Sequence, residues 1–144
     1  MITLAQAEQI AAGALRHAAT VGAAPLTVAV LDTGGHLVLL HRQDGSGILR
    51  PQVATGKAYG ALGLGISSRS IAEGAQQRPQ FFGALASAAE GRVIPAPGGV
   101  LIRQGGALVG AVGITGDTSD VDEACAIAGV RAAGLDPEPE APQA

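Results

Sequence analysis

The chain has 144 residues, enough for one domain with its own core. Charged residues make up 15% against a globular average of about 25%, the net charge is −3 with no basic run, and the aromatic side chains are Phe81, Phe82 and Tyr59 alone. These features exclude a base-stacking nucleic-acid surface, while the single cysteine, Cys125, excludes an intramolecular disulfide.

The elements follow in chain order. Thr3 and Gln6 form a capping box, and an apolar stripe from Leu4 through Ala11 and Leu15 to Val21 predicts a first helix that Gly22 ends. Leu26 to Leu31 reads as a strand, Asp32 to Gly35 as a turn, and His36 to His41 as the antiparallel partner. Gln43 to Gly47 is loop. Pro51 suits the first turn of a second helix running to Leu64. Ser67 or Ser68 caps a third, ending near Gln76, and Phe81 to Ala89 gives a short fourth.

A glycine-rich hairpin follows. Pro97 to Gly116 reads as two apolar strands opened by Gly98-Gly99 and joined by Gly105-Gly106, a pair suited to a two-residue turn. Gly110 and Gly113 stand in the return strand where bulkier residues would pack better. Their missing side chains predict a close approach by another backbone or a ligand, and so one wall of a site or subunit contact. Ser119 opens a last helix from Asp120 to Ala133, closed by Gly134, with Asp120, Asp122 and Glu123 favouring its dipole. Residues 1–135 therefore form the domain, and the Pro- and Glu-rich stretch 136–144 is expected to be a disordered tail. The order of elements gives an α+β fold, an antiparallel sheet with helices packed on it. A surface so poor in charge predicts burial between subunits, hence a homo-oligomer. With no basic n-region ahead of an apolar segment and no membrane span, the expected location is cytoplasmic, with no membrane and no nucleic acid as partner.

Six segments in this order resemble one family: Val30-Leu31-Asp32-Thr33-Gly34-Gly35-His36-Leu37-Val38, Arg42-Gln43-Asp44, Lys57-Ala58, Pro97-Gly98-Gly99-Val100, Val109-Gly110-Ala111-Val112-Gly113, and the helix from Asp122 to Gly129. The chain is similar, from Thr3 to Gly134, to the GlcG/HbpS-like group of small haem-associated domains, which takes in the C-terminal domain of PduO-type proteins. The resemblance implies a profilin-like sheet of about five strands flanked by helices, assembled into large homo-oligomers such as octamers. It implies haem as cofactor, with roles in haem degradation or in iron and redox handling. GlcG-like members point instead to a small organic acid as ligand. Two departures touch the expected pocket wall: Leu101 follows Gly-Gly-Val where the family often has proline, and Thr115-Gly116-Asp117 replaces a commoner Ser-Gly-Gly run.

Against that background a few side chains carry the candidate chemistry. His17 leans to the apolar side of the first helix, and the resemblance to PduO-type proteins makes it the candidate axial ligand for haem iron; otherwise it is a helix-end histidine bonded to backbone. Lys57, the single lysine, shares a stripe with Val53, Ala54 and Ala61. Such an amine must find a partner or lose its charge, so it clamps a carboxylate or propionate, forms a Schiff base in an enzyme, or snorkels to water or a neighbouring acidic side chain. Thr115 and Gly116 enter the last helix, whose free N–H groups either bind an anion or are capped by Thr118 or Ser119. Gly98 and Gly99 either admit a ligand to the backbone or form a bulge. The predicted ligand-binding set is thus Lys57, Gly98, Gly99, Thr115 and Gly116.

Asp32 is expected to hold an Asx-turn, and Arg42 to pair with Asp44. His36, His41 and Cys125 have no spacing for a structural metal site, and Cys125 reads as a buried small hydrophobe.

Overall fold

The computed structural model describes residues 1–142. It contains α1 (Leu4–Val21), β1 (Thr27–Asp32), β2 (Leu37–Arg42), α2 (Arg50–Leu64), α3 (Ser68–Gln77), α4 (Pro79–Ala88), β3 (Gly99–Gln104), β4 (Ala107–Thr115), α5 (Ser119–Ala132) and β5 (Asp136–Glu138). The strands form one five-stranded antiparallel sheet in the order β2-β1-β4-β3-β5. The α+β expectation holds, and the predicted elements are present to within a residue or two.

Strand alternation sorts the sheet into two faces. Val28, Val30, Val100, Ile102, Val112 and Ile114 join α1 and α5 in the larger core. Leu31, Leu101 and Ala111 turn the other way, onto Ala58 and Ala61 of α2. Each fully buried Val, Leu or Ile contributes about 1.5–3 kcal/mol relative to exposure, so the larger core dominates stability.

The local signals behave as the physics requires. Thr3 and Gln6 close the capping box of α1, and Gly22 ends that helix in the left-handed region at φ 65°. Gly105 and Gly106 turn the second hairpin with φ 59° and 83°. At the start of α5 the cap moves by one residue: the Thr118 hydroxyl, rather than Ser119, accepts the Val121 N–H.

The stretch from 136 differs from expectation. Asp136–Glu138 pairs with β3, Pro137 is buried opposite Ile102, and Arg103 Nε lies 2.9 Å from Glu138 Oε1. β3 would otherwise present a bare edge, and a proline is tolerated on the outermost strand of a sheet. The end of the expected tail, 143–144, lies outside the described residues. No helix among the described residues is long and apolar enough to cross a membrane.

Gly113 explains itself by packing. A Cβ there would collide with the Ala54 carbonyl oxygen of α2. The glycine thus lets a helix backbone, rather than a ligand or a subunit, rest directly on the sheet. Gly113→Val is expected to lower stability by about 3 kcal/mol through overpacking, read from the urea midpoint. Gly63→Ala, on the exposed side of α2 with nothing within 4 Å, should instead raise it by about 0.5–1 kcal/mol. Equal effects at the two sites would refute the close-approach explanation.

Candidate functional site

The predicted ligand-binding residues do meet. Lys57 leaves α2 beside the start of β3, where Gly98 and Gly99 have no side chains. A Cβ on Gly98 would stand 2.9 Å from Lys57 Nζ, and one on Gly99 would strike the Lys57 carbonyl. Through this gap the amine crosses to the end of β4. There Nζ donates to the Ile114 carbonyl at 2.9 Å and to Asp122 Oδ2 at 3.2 Å. Thr115 accepts from Arg50 Nη1 at 2.8 Å.

The anion expected at this point is present, and it belongs to the chain. Asp122 reaches back from the first turn of α5, and its Oδ1 accepts the Asp117 N–H at 2.9 Å. The Gly116 N–H also stabilises this carboxylate. The Lys57 and Asp122 side chains are only 3% and 2% exposed. Burial pushes the Lys57 amine below its ordinary value and the Asp122 carboxyl above its own, each opposed by the charge of the other. In this structure the cluster of Lys57, Gly98, Gly99, Thr115 and Gly116 is therefore a closed internal ion site, with Asp122 where an outside carboxylate was expected.

Sequence reasoning took Asp122 for a helix-dipole acid. The better signal was its position: Ala126 and Gly129, at helical spacing from Asp122, are buried, so an acid on that stripe needs a buried cation. Glu123 was missed in the same way. It is fully buried and accepts Arg69 Nε at 3.1 and 3.0 Å, which ties α3 to α5.

The histidines are dispersed. His17 is half-buried on α1, in the layer opposite α2, and its ring has no hydrogen bond among the described residues. His41 is exposed on β2. His36 lies beside Asp32, whose Oδ1 accepts the backbone N–H groups of Gly34 and His36 at 2.9 and 3.0 Å, the predicted Asx-turn. Arg42 does not pair with Asp44 as expected. Its Nη1 donates to the Ser46 carbonyl at 2.8 Å, because the loop folds back over the strand end. Cys125 is buried, and burial pushes its thiol up to about 11. No group of three or more His, Cys, Asp or Glu that could hold a metal ion occurs among the described residues.

An open apolar cleft lies elsewhere. The α2-facing side of β2 extends past the reach of α2, leaving Leu37 and Leu40 uncovered. With Ile48, Pro51, Thr55 and Arg92 they line a cleft of about 550 Å³, within the range of small-molecule sites. Ile48 is 93% exposed. The guanidinium of Arg92, which lines the cleft beside Glu90 and Gly91, sits 4.4 Å above the Tyr59 ring. Glu90 in the same wall is held at φ 56°, uncommon for a residue with a side chain. A second depression of about 550 Å³, by Pro25, Arg42 and Asp44, is polar. The cleft escaped sequence reading because Ile48 and Leu49 follow a polar loop and carry no periodicity.

Residues 2–131 match the profile of a family described as haem degrading protein HbpS-like. An uncharacterized 15.0 kDa protein in the dhaT-dhaS intergenic region of Citrobacter freundii is 29% identical over 121 residues, 84% of each chain. The crystal structure of HbpS superposes with a TM-score of 0.78 at 27% identity, covering 90% of this chain and 88% of its own. The fold is also that of a PduOC:heme complex, with a TM-score of 0.84 at 21% identity over 93% and 96% of the two chains.

The closed ion site has measurable consequences. Asp122→Ala strands a buried ammonium and is expected to cost about 3–5 kcal/mol in denaturant melts; a loss below about 1 kcal/mol would show that the pair is solvated. Asp117 gives the pH dependence. Backbone N–H groups of Ala24 and Thr118 hold its carboxyl below the ordinary value of 3.8. A depressed folded-state pKa contributes stability above the ordinary value that is lost as pH falls through the folded one. Asp117→Asn should flatten the fall in thermal midpoint below about pH 4, and an unchanged acid limb would refute the assignment.

Proposed function

This chain belongs to the HbpS-like family, and we propose that it binds haem in the cleft between β2 and α2. The observation that carries this reading is the cleft itself, a mainly apolar trough with the cation Arg92 in its wall beside Glu90. Leu37, Leu40, Ile48 and Pro51 suit the faces of a porphyrin, and Arg92 suits its propionates. Haem bound there supplies an iron centre capable of redox chemistry. The chain's own residues bind the ring, shield it from water and fix its carboxylates. Two names support the reading: the family description, haem degrading protein HbpS-like, and the PduOC:heme complex that shares the fold.

The organic-acid alternative rests on Lys57 and the entrance to α5. Its support is weaker because Asp122 already occupies both. His17, the sequence candidate for the axial ligand, belongs to the α1–α5 layer and not to this cleft. We extend the proposal to self-association, supported by the low charge content and by uncovered apolar side chains such as Leu49 and Phe81.

Titration of the purified protein with hemin tests the reading. A saturable Soret shift at micromolar hemin is expected. Leu40→Asp, which puts a charge on the cleft floor, should weaken binding at least about tenfold, since one buried unpaired charge exceeds 1.4 kcal/mol. Wild-type titrations indistinguishable from free hemin would end the proposal. Turnover, which the family description names, would appear as bleaching of the bound Soret band under a reductant in air.

A further inference from the structure

We propose that the outer edge of β2 is where two copies of this chain join, strand against strand, in an antiparallel pair centred on Leu40. This rests on the self-association reading above and names its surface.

The two edges of the sheet are treated differently. On one side β5 pairs with Leu101 to Arg103, carries Pro137 within it, and is pinned by the ion pair of Arg103 with Glu138. A short outermost strand with a proline gives another chain little to pair with. On the other side β2 ends the sheet. It runs for six residues, about 20 Å at ordinary strand rise, and contains neither proline nor lysine. The outward N–H and C=O groups of such a strand are a template for another strand.

Hydrogen bonding shows which groups those are. The Gln43 N–H donates to the Leu26 carbonyl at 2.9 Å, and the register pairs Val28 with His41 and Val30 with Leu39. Bonded positions alternate along an antiparallel ladder. Leu39 and His41 therefore bond to β1, while the N–H and C=O groups of Leu40 and Arg42 point outward. So does the Val38 carbonyl, which lies trans across the peptide from the Leu39 N–H.

A second copy fits this row. A two-fold axis at Leu40 lets the two Leu40 residues exchange both their bonds, and each Arg42 N–H then meets the Val38 carbonyl of the partner copy. Centring the pair on His41 instead would set the two His41 side chains directly opposite and draw the two Arg42 side chains together, which like charges oppose. The Leu40 centre keeps these cations apart and places Leu40, 37% exposed in one copy, beside its counterpart.

The same axis stands perpendicular to the sheet, so both α2 layers lie on one side. Leu37, Leu40 and Ile48, uncovered in one copy, then border a single apolar trough with their counterparts, and each cleft gains a wall from the other copy. Because β5 blunts the opposite edge, this pairing closes at two copies instead of propagating along the sheet.

Sedimentation equilibrium and oxidative cross-linking, both without hemin, decide the matter apart from the haem reading. Wild type is expected to assemble. Leu40→Lys, a charge on an exposed edge position, should weaken the pairing at least about tenfold and leave particles of half the wild-type mass or less. Leu40→Cys should give a covalent dimer under mild oxidation, because a bonded antiparallel pair holds its Cα atoms about 5.5 Å apart, within disulfide reach. Leu37→Cys, more exposed at 55%, should not, because this register sets the two copies of position 37 about 20 Å apart. The native Cys125 is buried with its thiol pushed up to about 11, so it stays out of the reaction. An assembly that keeps its mass in Leu40→Lys, or that leaves Leu40→Cys unlinked, overturns this interface while self-association stands. A monomeric wild type at micromolar concentration removes both.

Discussion

The contact between Lys57 and Asp122 is the constraint around which the rest is arranged. An ammonium and a carboxylate taken from water each lose several kcal/mol of hydration, which their mutual attraction offsets only with good geometry and further hydrogen bonds. The protein supplies those bonds from its backbone: the Ile114 carbonyl faces the amine, and the N–H groups of Gly116 and Asp117 face the carboxylate. Hydrophobic residues of equal volume would serve stability as well. What the pair adds is direction, because it forms only when the middle of α2 and the first turn of α5 meet at the same corner of the sheet. Glu123 with Arg69 repeats the device one residue on and brings in α3.

That corner also sets the glycine pattern. Gly98 and Gly99 give passage to the Lys57 side chain and backbone, and Gly113 gives α2 its seat on β4. On the other face Gly129 lets the α1 backbone approach at Ile10. Layers drawn this close need few large side chains, which accounts for a core rich in alanine and valine in a chain almost without aromatics. The same closeness has a geometric cost. A helix seated over β4 and β1 cannot also cover β2, so the outer strand keeps an apolar side facing water. The cleft is a by-product of tight packing elsewhere.

Legibility in the sequence divides along the same line. Capping boxes, Gly-Gly turns, periodic stripes and the Asx-turn are local, and Thr3, Gly22, Gly105 and Asp32 announced them correctly. The candidate set of Lys57, Gly98, Gly99, Thr115 and Gly116 also assembled, because each departs from what its element would otherwise contain. The identity of the anion was illegible, because Asp122 and Lys57 are 65 residues apart and an acid in a first helical turn already has a sufficient local reason. The β5 strand was illegible because Pro and Glu carry no pairing signal; only the bare edge of β3, a tertiary fact, recruits them. The cleft was illegible for a related reason: it is defined by what α2 fails to cover.

The two regions therefore have opposite physical characters, and this bears on function. At the closed corner every strong donor and acceptor has a partner, so an arriving ligand would have to displace an internal carboxylate to gain anything. At the β2 edge apolar surface stays wet, Arg92 keeps its charge on an aromatic face, and Glu90 is held in an uncommon backbone conformation. Binding free energy is available where the fold has left surface unsatisfied. A lysine buried in an apolar stripe draws the eye in the sequence because its charge is improbable there. The structure shows this charge neutralised within the chain by Asp122, while the less conspicuous outer strand keeps apolar surface open to water.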